Sequence, residues 1–169
     1  VFIGTIWPLV AELVFGRTLS VGPPFFDAAF TPFMVLLAIV LPLGSLLAWK
    51  RGSLNRARLP LAGLAVLAMA MAGLFYAIYA GRSLLGPAGV LLGVWVVGGA
   101  ALDLWMRSGR GNIKERLGRI LRFPRSDWGK TVAHAGMGVT IFGVAAMTAW
   151  QQEDIRVVKI GETFEVGAY

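Results

Sequence analysis

Pro87-Ala-Gly-Val-Leu-Leu-Gly-Val-Trp-Val-Val-Gly-Gly-Ala-Ala-Leu-Asp-Leu-Trp105 holds one ionisable side chain, Asp103, near its end. About 20 apolar residues coiled as a helix cross the roughly 30 Å of hydrocarbon in a bilayer. This stretch therefore reads as a membrane span. Residues 30–49, 60–79 and 132–150 have the same character, and residues 1–15 look like the outer end of a fifth, partial span. Hydrophobic residues make up 57% of the chain and charged residues 15%. Soluble domains run nearer 45–50% and 25%. The mean hydropathy of +0.71 agrees. The sequence predicts an all-α integral membrane protein, a multi-span helical bundle followed over 151–169 by the start of an outer β segment. Both ends interrupt patterns, an apolar run at Val1 and a strand pattern at Tyr169, so an internal piece of a longer polypeptide is expected.

Net charge is +7, yet the cations are gathered in loops rather than spread on a surface, which argues against nucleic acid as a partner. There is no cysteine. Disulfides, thiolate metal sites and cysteine nucleophiles are thereby excluded from this chain. Lys50, Arg51, Arg56 and Arg58 stand between the first two full spans, and eight more cations stand between residues 106 and 131. Together these loops carry twelve of the sixteen Lys and Arg. Cytoplasmic loops are the ones enriched in Lys and Arg, so both should face the cytoplasm and the acidic tail after Trp150 should lie outside. Trp49, Trp105 and Trp128 then fall at the inner interface, and Tyr76, Tyr79 and Trp150 at the outer one, as interfacial aromatic belts.

Within the basic loop at 107–130, Asn112-Ile-Lys-Glu115 has the spacing of a capping box. Ile113, Leu117, Ile120 and Leu121 recur at i, i+4, i+7 and i+8, one apolar stripe among arginines, until Phe123-Pro124 ends the pattern. A short basic amphipathic helix is expected on the anionic inner leaflet, as a lipid or partner dock or as a topology anchor. Prolines 32, 60 and 87 are expected in first helical turns, where a missing N–H costs nothing. Pro42, inside a span beside Gly44 and Ser45, should bend its helix. Ser20-Val-Gly-Pro-Pro-Phe-Phe26 should form a turn and polyproline connector, and 155–168 should form two strands. Asp103 should pair with Arg107 at i+4. Glu12 reads as a carboxylate at headgroup level.

His134 is the only histidine, about one turn inside the last span. An ionisable side chain is costly in hydrocarbon and marks a functional site by default. Neutral imidazole is also an axial ligand of haem iron. The alternatives are a histidine hydrogen-bonded between helices or one reaching the headgroups. Met137, Gly138, Ile141 and Ala145 share its helical face. Gly138 would leave room for a flat macrocycle, or equally for a packed helix, as would Gly89 and Gly93 at GxxxG spacing.

The ordered set Gly4-Thr-Ile-Trp-Pro8, Ser20-Val-Gly-Pro-Pro-Phe-Phe26-Asp27, Ala133-His134 and Glu153-Asp-Ile-Arg-Val157 resembles the later membrane part of the CcmF family, the large haem-lyase subunits of bacterial cytochrome c maturation. The resemblance implies a multi-pass protein of the inner membrane with residues 151–169 periplasmic. It implies a role in joining haem, delivered by a haem chaperone, to apocytochrome c, alongside other maturation subunits. It also implies a transmembrane haem b that takes electrons from quinol. His134 matches one axial ligand of that haem. The second axial ligand, the Trp-rich haem-handling segment and the outer histidines of the family have no counterpart here, so this chain alone is not expected to be catalytic. The competing readings are a transporter or permease segment and a non-catalytic scaffold.

The charge asymmetry yields a direct test. A cysteine introduced at Arg56 should resist an impermeant thiol reagent applied outside intact spheroplasts, because residue 56 is expected in the cytoplasm. Ready labelling from outside would invert the topology.

Overall fold

The computed structural model of the chain describes residues 2–16, 23–46, 54–78 and 84–150. Six helices follow in order: α1 (Phe2–Phe15), α2 (Pro23–Leu46), α3 (Leu54–Ile78), α4 (Leu85–Arg107), α5 (Ile113–Leu121) and α6 (Arg125–Trp150). Segments in α2, α3 and α4 are long and apolar enough to cross a membrane: Ala29–Leu46, Ala57–Ile78 and Leu85–Arg107. They are the first three full spans expected from hydropathy. The fourth expected span falls in the later part of α6, which is not among these three, and the partial one falls in α1 with its shorter apolar run Ile6–Phe15. The strands expected over 155–168 lie outside the described residues, so what the structure describes is an all-helical membrane-type bundle.

Helix starts differ from the hydropathy boundaries. α2 begins at Pro23 and α3 at Leu54, so Pro32 and Pro60 sit within helices rather than in first turns. Pro23 and Pro24, expected in a turn and polyproline connector, instead open α2. Pro87 does fall in the first turn of α4. The physical reason is that hydropathy marks the part of a helix suited to hydrocarbon. The backbone ladder continues past it wherever nothing breaks the hydrogen bonding, because each further turn satisfies its own N–H and C=O groups. α6 likewise begins at Arg125, with the Asp127 and Trp128 N–H groups donating to the Pro124 carbonyl.

α4 is the hub. Among the described residues, every extensive helix–helix interface involves it, with α6 the largest, then α3 and α2. In its apolar window 39% of residues are buried, against 17% in α3 and 11% in α2. The outer faces of α2 and α3 instead leave Phe33, Leu36, Val66 and Leu74 more than half exposed. An apolar exterior on helices of this length suits a lipid environment.

Small residues let the helices close on α4. Gly99 receives the ring of Pro42 from α2, and Gly98 receives the Leu64 side chain from α3. Beside Pro42, the Trp95 indole N–H of α4 donates to the Ile39 carbonyl at 3.0 Å, and the Ser45 hydroxyl donates to the Pro42 carbonyl at 3.0 Å. Proline has no N–H to return to the preceding turn, so such side-chain donors hold a proline-interrupted helix in place.

The α4–α6 seam is closer still. Gly89 abuts Ala145, and Gly93 abuts Gly138 and Phe142. A methyl group on Gly138 would stand 2.7 Å from Val97 Cγ2 and 3.1 Å from the Gly93 carbonyl oxygen, well inside van der Waals contact. Gly136 and Gly143 on α6 meet nothing within 4 Å. Gly93→Leu should therefore loosen the bundle by about 1–3 kcal/mol through overpacking, whereas Gly143→Ala should be neutral or slightly stabilising. Denaturation of the detergent-solubilised protein measures both; equal effects of the two changes would contradict the seam.

Candidate functional site

The residues with chemistry to offer gather where α4 ends and α6 begins. Asp103, 4% exposed, is the most deeply buried carboxylate among the described residues. Its Oδ1 accepts from Arg107 Nε at 3.2 Å, the i+4 pairing expected from sequence. Its Oδ2 lies 2.6 Å from Lys130 Nζ of α6, a pairing by charge without a directed hydrogen bond. Arg107 also donates through Nη1 to Asp127 Oδ1 at 2.6 Å. Two carboxylates and two cations thus stitch α4 to α6 at one end. Lys130 and Asp127 were not foreseen as partners. The signal was available in principle: a carboxylate buried in a span needs cations around it, and α6 follows α4 in the chain with basic residues in its first turns.

A second set of contacts fixes α5 to the same end of α4. The Arg116 guanidinium lies over the Trp105 ring, 3.7 Å from its centroid. Its Nε donates to Ser108 Oγ at 2.9 Å, and its Nη2 donates to the Trp105 carbonyl. Arg119 Nη2 donates to the Arg110 carbonyl at 2.7 Å. Asn112 stands at the N-cap of α5 in an extended conformation, as the capping-box spacing implies, but its side chain makes no cap hydrogen bond. The helix opens instead with the Arg116 N–H donating to the Asn112 carbonyl at 3.0 Å. Gly109 (φ 76°) and Gly111 (φ 141°) turn the chain between α4 and α5, in backbone regions that other residues rarely adopt.

His134 lies one helical turn beyond Lys130, about 6 Å along the axis of α6. Gly89 with Ala145, Gly93 with Phe142 and Arg107 with Asp127 advance in antiparallel register, which sets His134 level with Ala100 of α4. The side chain is half-buried. Among the described residues it has no hydrogen-bond or ion-pair partner, which leaves the expected alternative of a histidine satisfied between helices without support there. Gly138 shares its helical face but is buried, and that side is filled by Gly93 and Val97. The room made by Gly138 is used for helix approach, not left open beside His134. The hydroxyls of Thr131 and Thr140 donate back to the Asp127 and Gly136 carbonyls, both at 3.0 Å, so the donor of each is used within α6. Glu12 is exposed on α1. No group of three or more metal-ligating side chains occurs among the described residues. The site places one half-buried imidazole on α6, one turn from Lys130 and from the Gly138 contact with α4.

Three known proteins place this arrangement. The chain is 50% identical along its whole length to the cytochrome c-type biogenesis protein ccl1 of Rhodobacter capsulatus. It is 40% identical to the cytochrome c-type biogenesis protein CycK of Rhizobium meliloti, and 29% identical to the cytochrome c-type biogenesis protein CcmF of Escherichia coli, again with the entire chain aligned. It spans about a quarter of the length of each, 25% in all three cases. No family model and no solved structure matches it. The chain is thus homologous from end to end to one segment of the CcmF-type cytochrome c-type biogenesis proteins, as the resemblance in its sequence implied.

The ionic cluster sets an order of mutational effects. Lys130→Met leaves the buried Asp103 carboxylate with Arg107 alone and should cost about 1–3 kcal/mol, the range for an under-satisfied buried polar group. Asp103→Leu should cost less, because Arg107 keeps Asp127 as a partner and the stranded Lys130 keeps 31% of its side chain exposed. Unfolding of each variant in detergent measures the order, and the reverse order would contradict it.

Proposed function

We propose that this chain serves in a cytochrome c haem lyase of the inner membrane, and that His134 is an axial ligand of a transmembrane haem b. The observation that carries the reading is the chain's one histidine, half-buried on α6 and without a partner among the described residues, in a chain that aligns throughout with cytochrome c-type biogenesis proteins. A neutral imidazole with a free nitrogen is what an axial site requires. The residues present fit half of such a site: one ligand, fixed by the α4–α6 seam, with the second axial ligand supplied from beyond this chain. When bound, the haem supplies one-electron chemistry at its iron.

The chain's own contribution is positional. Gly89, Gly93 and Gly138 hold α6 against α4 on one side of His134, and the Asp103–Lys130 pair holds it on the other. These contacts set the position of the His134 backbone along α4. Gly138 itself is enclosed by Gly93 and Val97 of α4. In the proposed orientation the loops around Arg56 and Arg119 face the cytoplasm and residues 151–169 face the periplasm, supported by the distribution of Lys and Arg. His134 then sits near the cytoplasmic leaflet, a depth at which quinol could deliver electrons. Haem, its chaperone, apocytochrome c and other maturation subunits are the partners this role calls for, with attachment itself needing groups outside this chain.

The test uses the intact protein purified from membranes. His134→Ala should remove most of a low-spin b-type spectrum and lower cytochrome c maturation, while the amount of protein inserted in the membrane stays unchanged. An unaltered spectrum with full maturation would rule out the ligand assignment and favour a scaffold.

A further inference from the structure

We propose that α5 is a docking element for an anionic lipid surface, with its cations divided between two tasks. Arg116 clamps the helix to the end of α4 and Arg119 holds the turn before it, while Lys114 and Arg122 meet lipid headgroups. The inference is independent of haem.

Position comes first. Only residues 108–112 separate α5 from α4, and only residues 122–124 separate it from α6. An extended chain spans at most about 3.6 Å per residue, so α5 stays within roughly 20 Å of both helix ends. α4 is long and apolar enough to cross a membrane. Its neighbour is therefore confined to the zone where hydrocarbon gives way to headgroups.

Surface chemistry comes second. Ile113, Leu117 and Leu121 form one stripe and are 68%, 50% and 76% exposed. No residue of α5 is buried. An apolar stripe held at a membrane interface gains by entering the acyl boundary, and flanking cations add attraction to anionic headgroups. Between Arg110 and Arg125 the single acidic residue is Glu115, so the charge of the segment suits an anionic surface. Two cations are engaged within the protein: Arg116 with the Trp105 ring, the Trp105 carbonyl and Ser108, and Arg119 with the Arg110 carbonyl. Lipid contact at α5 is thereby tied mechanically to the end of α4 that carries Asp103.

The full chain, which has no native cysteine, tests the proposal directly. Leu117→Cys, labelled with an environment-sensitive fluorophore, is placed in nanodiscs of phosphatidylcholine alone or enriched in phosphatidylglycerol. A second label at Leu121→Cys guards against a local effect of the probe. In the anionic discs the probe should be shielded from an aqueous quencher, and high salt should reverse part of the shielding. Lys114→Gln and Arg122→Gln should each lower the shielded-to-quenched ratio by about fivefold. Arg116→Gln should keep the shielding yet raise hydrogen exchange around Trp105, because the clamp and the lipid contacts use different cations. Equal quenching in neutral and anionic discs, whether high or low, overturns the proposal. So does shielding that appears only after a soluble protein is added, which would make α5 a protein dock.

Discussion

The close approach of α4 and α6 is the contact on which the rest depends. Between helices in lipid there is little hydrophobic drive, since the tails are as apolar as the side chains. Association rests on dispersion, and dispersion needs surfaces that meet without gaps. Gly89, Gly93 and Gly138 remove the side chains that would hold the backbones apart. At the far end of the seam the Asp103–Lys130 and Arg107–Asp127 pairs oppose charge to charge. Packing fixes how near the helices come, and the charge pairs fix where along their axes they stop. α2 and α3 then use the remaining faces of α4, through Pro42 on Gly99 and Leu64 on Gly98.

Much of this was legible in the residues. Three spans, the small helix Ile113–Leu121 and the Asp103–Arg107 pair follow from hydropathy, periodicity and i+4 spacing, because each is set by local chemistry. Helix starts were not legible. Pro32 and Pro60 suggested first turns, yet the backbone hydrogen-bond ladder runs several residues upstream of the apolar stretch. Nor were partners on other helices. Lys130 finds Asp103, and Arg116 finds Trp105, through a tertiary arrangement that no single-helix pattern encodes. Gly138 shows the limit most sharply. A small residue beside a histidine suits a cofactor or a neighbouring helix equally, and only the position of α4 decides that a helix fills the space.

Placed together, these contacts brace the segment of α6 that carries His134 against α4. His134 stands between the glycine seam and the ionic cluster, so neither end of its helix segment can drift without breaking packing or charge contacts. In the proposed role such rigidity has a purpose: an axial ligand tunes iron through its distance and ring angle, and a mobile helix would blur both. The basic helix α5, attached to the same end of α4, sets these helices against the bilayer surface. In the proposed role a chain that aligns with one quarter of the length of its relatives would hold a ligand while other parts complete the chemistry.

The most direct measurement of the central claim is optical spectroscopy of the intact protein carrying His134→Gly, recorded before and after addition of imidazole. With the native side chain absent, the α4–α6 seam should remain closed and leave a vacant place for the small ligand. The account predicts loss of the low-spin b-type bands in the variant and their return with imidazole. Unchanged bands in the variant without imidazole would contradict it.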